Sequence, residues 1–209
     1  MNALKITMAA LALSSFLAHG EVLYTNSFDK AEIGKVPEEL MVLDGQFAVQ
    51  EEGGNKFLEL PGAPTDTYTV MFGPTTNANV SVSARVYATS KGRRMPAFGV
   101  ALSGVAGYKM QVAAAKKSIE LFKGDKLVQT VDYDWKSGEW TSLQLAAVKK
   151  GDVVSVEGKI SQGNGKDAVV TFEDSGSLTP GRASISGTPF AGTPIWFDDL
   201  AVVAARSNQ

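Results

Sequence analysis

Apolar and polar residues alternate one for one along several short stretches of this 209-residue chain. That period-2 pattern constrains the fold more than anything else in it, because it is what strands of an antiparallel sheet with one buried face require. From Asn79 to Tyr87, the residues Val80, Val82, Ala84 and Val86 share one face, and Ser81, Ser83, Arg85 and Tyr87 share the other. Phe98, Val100 and Leu102 alternate likewise, and Tyr108, Met110 and Val112 repeat the pattern after Gly104 and Gly107. Such stretches recur about every 8 to 12 residues, punctuated by Gly, Pro, Asn and Asp. Lys123-Gly124-Asp125 and Lys150-Gly151-Asp152 each separate two alternating runs and predict tight hairpins. Ala113 to Lys117 has helical propensity but no cap and too little length, which predicts a connecting turn. No internal repeat points to a propeller or solenoid. Roughly a dozen short strands in one unit predict an all-β fold, a two-sheet antiparallel sandwich.

The N-terminal segment reads as an export signal. Lys5 precedes an apolar run from Ile6 to Leu17, and Ala18-His19-Gly20 puts small residues at the −3 and −1 positions of a cleavage site. The run is too short to span a bilayer, for which about 20 residues are needed. The expected organisation is a signal peptide over 1–20, one domain over 21–205 and a frayed tail over 206–209, in a protein exported to the periplasm or beyond the cell. Cleavage removes His19, the single histidine, and the chain has no cysteine. Triads, Cys–His nucleophiles and histidine-ligated zinc are thereby excluded. Burial must hold the fold without disulfides. With Lys5 discounted, 19 basic residues stand against 22 acidic ones, which provides no footprint for nucleic acid.

The order of the pieces resembles the concanavalin A-like lectin/glucanase superfamily, in particular its LamG-like jelly-roll modules. Tyr24-Thr25-Asn26-Ser27-Phe28-Asp29 looks like the family's first strand. Residues 134–160, DWKSGEWTSLQLAAVKKGDVVSVEGKI, are similar to its W-x-x-G-x-W hairpin and return strand. Residues 194–203, PIWFDDLAVV, look like the last strand, which in the family pairs beside the first. The resemblance implies a concanavalin A-like jelly roll. The glucanase branch carries an E-x-D-x-E strand, and no such spacing occurs here.

Three constellations remain. Trp140 is in phase with Ser142 and Gln144 and opposite Leu143 and Leu145, so it faces away from the core. It is the candidate platform for a sugar ring, with Trp135 and Tyr133 next; the alternative is a rim aromatic covering the sandwich edge. Arg93 and Arg94, with Tyr108 and Lys109, are candidates for a polar end of the same surface. Asp29, at the end of the first strand, and Asp198 and Asp199, at the start of the last, are candidate ligands for a structural Ca2+ bridging the terminal strands, since calcium takes oxygen ligands alone. The function expected is non-catalytic binding of a polysaccharide or other glycan. One alternative is a structural or interaction module that takes a protein partner at a sheet edge. The other is glycan cleavage by a carboxylate pair drawn from Asp132, Asp134 and Glu139.

Overall fold

The computed structural model describes residues 20–62, 66–76, 79–163, 167–176, 178–190 and 192–205. The expected signal segment, apart from Gly20, and the tail 206–209 lie outside the described residues. Along the chain run β1 (Val22–Asn26), β2 (Met41–Asp44), β3 (Ala48–Glu52), β4 (Asn55–Leu60), β5 (Tyr68–Thr76), β6 (Val80–Ala88), β7 (Ala97–Leu102) and β8 (Tyr108–Ala113). A single 3-10 turn over Ala114–Lys116 follows, then β9 (Ser118–Lys123), β10 (Lys126–Asp132), β11 (Trp140–Lys150), β12 (Val153–Gln162), β13 (Ala168–Asp174), β14 (Gly181–Thr188) and β15 (Ile195–Ala204).

These strands form two antiparallel sheets. Sheet A has the order β13-β12-β11-β6-β15-β4-β3, with β1 pairing to β15, and sheet B has the order β10-β9-β8-β7-β14-β5-β2. The alternation in the sequence becomes burial: Val80, Val82, Ala84, Val86 and Ala88 of β6 are buried, and the residues between them are half-exposed. Leu143, Leu145, Val154, Val156 and Phe197 line the inner face of sheet A. Phe72, Phe98, Val100, Met110, Ile119 and Leu121 belong to the same core from sheet B. Both expected hairpins form, around Gly124 and Gly151, and each of these glycines takes the positive φ such turns demand. Ala114–Lys116 is the connecting turn, closed by Lys117 in the left-handed region. β1 lies antiparallel beside β15, as the family resemblance implies.

Two local expectations are corrected. Asp29 does not end the first strand: β1 stops at Asn26, and Phe28, buried in the core at φ 60°, turns the chain away before it. Asp198 and Asp199 do not begin the last strand but lie inside β15. The register against β6 slips between Asp198 and Ala201, and Asp199 takes a left-handed φ of 48°. This bulge is what allows one strand to pair with β4 before it and with β1 after it.

Candidate functional site

β11 places Trp140 on the outer face of sheet A by strict alternation: Thr141, Leu143 and Leu145 point inward and are buried, and Ser142 lies exposed between them. Trp140 pairs with Tyr87 of β6, which pairs in turn with Trp196 of β15, and that residue with Glu59 of β4. Directly opposed residues of a sheet share a face, so this register builds an aromatic row. Trp196 stacks between Phe57, at 4.3 Å between centroids, and Tyr87, at 4.7 Å, and its indole N–H donates to Glu59 Oε2 at 2.9 Å. Both of its faces are thus taken.

Trp140 differs. Tyr87 meets it at a tilt of 52°, and the Arg85 guanidinium lies over one face at 4.7 Å from the ring centroid. Arg85 in turn donates to Asp199 Oδ2 at 2.9 Å. On the other flank, Thr141 pairs with Gln162, so the next position on the β12 side is Gly163, which has no side chain. Gly163 is in the left-handed region, and a Cβ there would lie 2.8 Å from Glu139 Oε2. A side chain there would displace the end of the exposed Glu139 side chain, and the left-handed φ itself favours glycine.

Beside this flank opens a groove of about 900 Å³ between the β10 and β13 edges of the two sheets. Tyr133, Asp132, Asp134, Lys136, Glu139 and Asp167 line it. Burial, and then the charges of Asp167 and Glu139, push the Tyr133 phenol up, so it stays protonated and able to donate a hydrogen bond. Asp134 is held below the usual carboxylate range, first by its hydrogen bond from Lys136 and then by that ammonium charge. The floor is pinned by Gln162, which is buried. Its amide donates to the Lys136 carbonyl at 2.6 Å and to Thr141 Oγ1 at 3.1 Å, while its oxygen accepts from the Lys136 N–H.

The structure therefore brings Trp140 and Tyr133 to the same end of the sandwich. It sets Trp135 apart: this indole is buried, meets Phe98 edge-on and donates to Thr141 Oγ1 at 3.1 Å. Trp135 underpins the 133–139 segment and offers no ring face to a ligand. Arg93 and Arg94 are exposed in the loop after β6, which docks on this segment where Gly138 N–H donates to Ala88 O and Ser90 N–H to Ser137 Oγ.

Tyr108 is not part of that surface. It is buried at the far end of the β7–β8 pair, where its hydroxyl donates to Asp174 Oδ2 at 2.5 Å. Lys109 points to the other face, over the Phe122 ring. Alternation says nothing of Trp135, which lies in a loop, but it puts Tyr108 in phase with Met110 and Val112 and so on the inner face, where the structure has it. Tyr87 and Arg85, which frame Trp140, carried a readable signal: they fall on the polar face of the clearest alternating stretch.

The three candidate calcium ligands are each engaged by the protein. Asp198 is buried and accepts from Asn55 Nδ2 and the Asp199 N–H, Asp199 pairs with Arg85, and Asp29 accepts from Ser27 Oγ. Burial pushes the Asp198 carboxyl up, against the opposing pull of Asn55 and the Asp199 N–H. Among the described residues, no three carboxylates converge as a metal-holding group.

No family model and no curated protein matches the chain. Solved structures do. A Bacillus subtilis protein of unknown function with a galectin-like fold superposes with a TM-score of 0.60 at 14% identity, covering 90% of this chain and 98% of that one. Carbohydrate-binding module CBM66 from Bacillus subtilis has a TM-score of 0.55 at 11% identity, over 79% and 95% of the two chains. Lectin II from Ulex europaeus has a TM-score of 0.56 at 14% identity, over 88% and 99%. At such identities the likeness is one of architecture, and this chain is a two-sheet jelly-roll sandwich of the concanavalin A-like, lectin type.

Proposed function

We propose that this protein is an exported, non-catalytic carbohydrate-binding module. The observation that carries this reading is Trp140: a half-exposed indole with Arg85 on one face, no β12 side chain on its other flank, and beside it a groove that mixes apolar surface with carboxylates and Tyr133. A pyranose stacks its C–H face on such a ring, as other apolar surfaces do, while its hydroxyls need donors and acceptors in reach. Tyr133 supplies a donor, and Asp132, Glu139 and Asp167 supply acceptors. The lectin and carbohydrate-binding neighbours support the same reading. Carboxylates outnumber the one lysine lining the groove, so a neutral glycan fits it better than a uronic or sulfated one. The testing experiment is a panel of neutral, uronic and sulfated polysaccharides presented to the whole exported chain. Binding to a neutral polymer is expected; binding confined to the anionic ones would contradict the assignment.

A second reading, glycan hydrolysis, is favoured by one observation, the four carboxylates Asp132, Asp134, Glu139 and Asp167 in a single groove. A hydrolase needs one of its pair held protonated. Asp134 is held the opposite way, and the carboxyl that burial pushes up, Asp198, lies in β15 against Asn55. Release of new reducing ends from a bound polymer, lost in Glu139→Gln, would establish hydrolysis instead.

A further inference from the structure

The outermost strands of the two sheets are treated differently. The β3 edge is covered by its own chain: Gly34 N–H donates to Val49 O at 2.8 Å, and Val49 N–H to Lys35 O at 2.9 Å. The β10 and β13 edges face one another across the groove side, and β10 is bounded by Lys126 and Asp132. Among the described residues, β2 is neither hydrogen-bonded by a loop of its own chain nor faced by another edge strand. Among the described residues it hydrogen-bonds to β5 alone, and Met41, Val42 and Leu43 are 50%, 36% and 51% exposed with no charge among them. The register slips between Val42 and Asp44, so Leu43 has no partner on β5 and is free to contact an added strand. An apolar edge of this kind is a template for another strand, which proteins ordinarily block with charge or cover.

We infer that the free edge of β2 docks an extended segment of a second protein, apolar at alternate positions and basic at its ends, as an eighth strand of sheet B. Charge selects this occupant. Glu38 and Glu39 precede the strand and Asp44 ends it, all exposed. The neighbouring cation, Arg182, donates to the carbonyls of Gly73 and Glu39 and to neither carboxylate. A second copy pairing antiparallel would set Glu38 and Glu39 against the other copy's Asp44, like charge on like, whereas lysine or arginine at both ends of a strand meets them favourably. Main-chain hydrogen bonds would supply affinity and Leu43 and Met41 the side-chain contacts.

The probe is a labelled peptide, Lys-Thr-Val-Thr-Val-Thr-Lys, titrated into the whole exported chain by fluorescence anisotropy, beside its counterpart with Glu at both ends. Saturable binding of the Lys-ended peptide is expected, weaker by about tenfold for the Glu-ended one. Leu43→Lys, an exposed change outside the β5 pairing, is expected to abolish it, and Leu127→Lys on the β10 edge to leave it intact. Failure of both peptides to bind, equal binding of the two, or equal loss in both variants would overturn the assignment. So would a dimer in sedimentation that Leu43→Lys dissolves, since the edge would then serve a second copy. Sugar binding at Trp140 is independent of every one of these outcomes.

Discussion

The strands β10 and β13 run side by side along one flank of the sandwich, and the two ends of that flank are built in opposite ways. At one end the Tyr108 hydroxyl, the Lys123 ammonium at 2.6 Å and the Gly176 N–H all converge on the Asp174 carboxylate, tying sheet A to sheet B. Burial alone would push the Asp174 carboxyl up, but these hydrogen bonds and the Lys123 charge outweigh it and hold it low. At the other end the sheets part around the groove, where Asp134 is paired with Lys136 and Asp132, Glu139 and Asp167 line the opening. Acidic residues that satisfy buried donors lock a fold, and acidic residues left facing an opening are free to take hydroxyls from outside. The difference lies in the partners each is given, because residue type is the same at both ends.

The largest effect expected is at Trp135, beneath the open end. Trp135→Ala removes a buried indole and its bond to Thr141, and a loss of about 3–5 kcal/mol in chemical denaturation is expected. A cost below about 1 kcal/mol would mean the 133–139 segment is not anchored by it. Next comes the closed end. Asp174→Ala leaves the buried Tyr108 hydroxyl without its acceptor while the partly exposed Lys123 turns to water, and should cost about 1–3 kcal/mol at neutral pH. A lowered native pKa stabilises above the ordinary aspartate value, and that contribution is lost as pH falls through the native one. The gap between variant and parent should therefore narrow in acid, and a gap that widens there contradicts the staple.

Trp140→Ala, by contrast, should change stability by about 1 kcal/mol or less while removing glycan binding. Trp196→Phe sharpens that contrast, because both faces of Trp196 are already stacked and its loss should leave binding intact. The smallest effect is at Asp198. A raised native pKa contributes stability that is present below the ordinary aspartate value and lost as pH rises through the native one. Asp198→Asn should therefore gain in melting temperature on the parent between about pH 4 and pH 8, by a few degrees at most. A gain confined to acid would show that the carboxylate is stabilised in place.

Much of this architecture is legible in the alternation. β6, β7, β8 and the β11–β12 hairpin follow from period 2 and from glycine at the turns. β14 was not read, although it sits inside sheet B: in GRASISGT Ala183-Ser184-Ile185-Ser186 does alternate, but Ile185 is its one large apolar residue, so the apolar signal is weak even though the strand is buried almost throughout. The outward placement of Trp140 was readable, since phase along one strand is local. The withdrawal of Trp135 was not, because it depends on a loop and on Phe98 far along the chain; that of Tyr108 follows its phase with Met110 and Val112, although its partner Asp174 does not.

The most direct test is affinity electrophoresis of residues 21–209 and their Trp140→Ala variant through gels cast with neutral polysaccharides, with circular dichroism confirming that both fold. Retardation of the parent by at least one polymer and free migration of the variant are expected. Equal retardation of the two proteins would place the sugar elsewhere and contradict the assignment of Trp140.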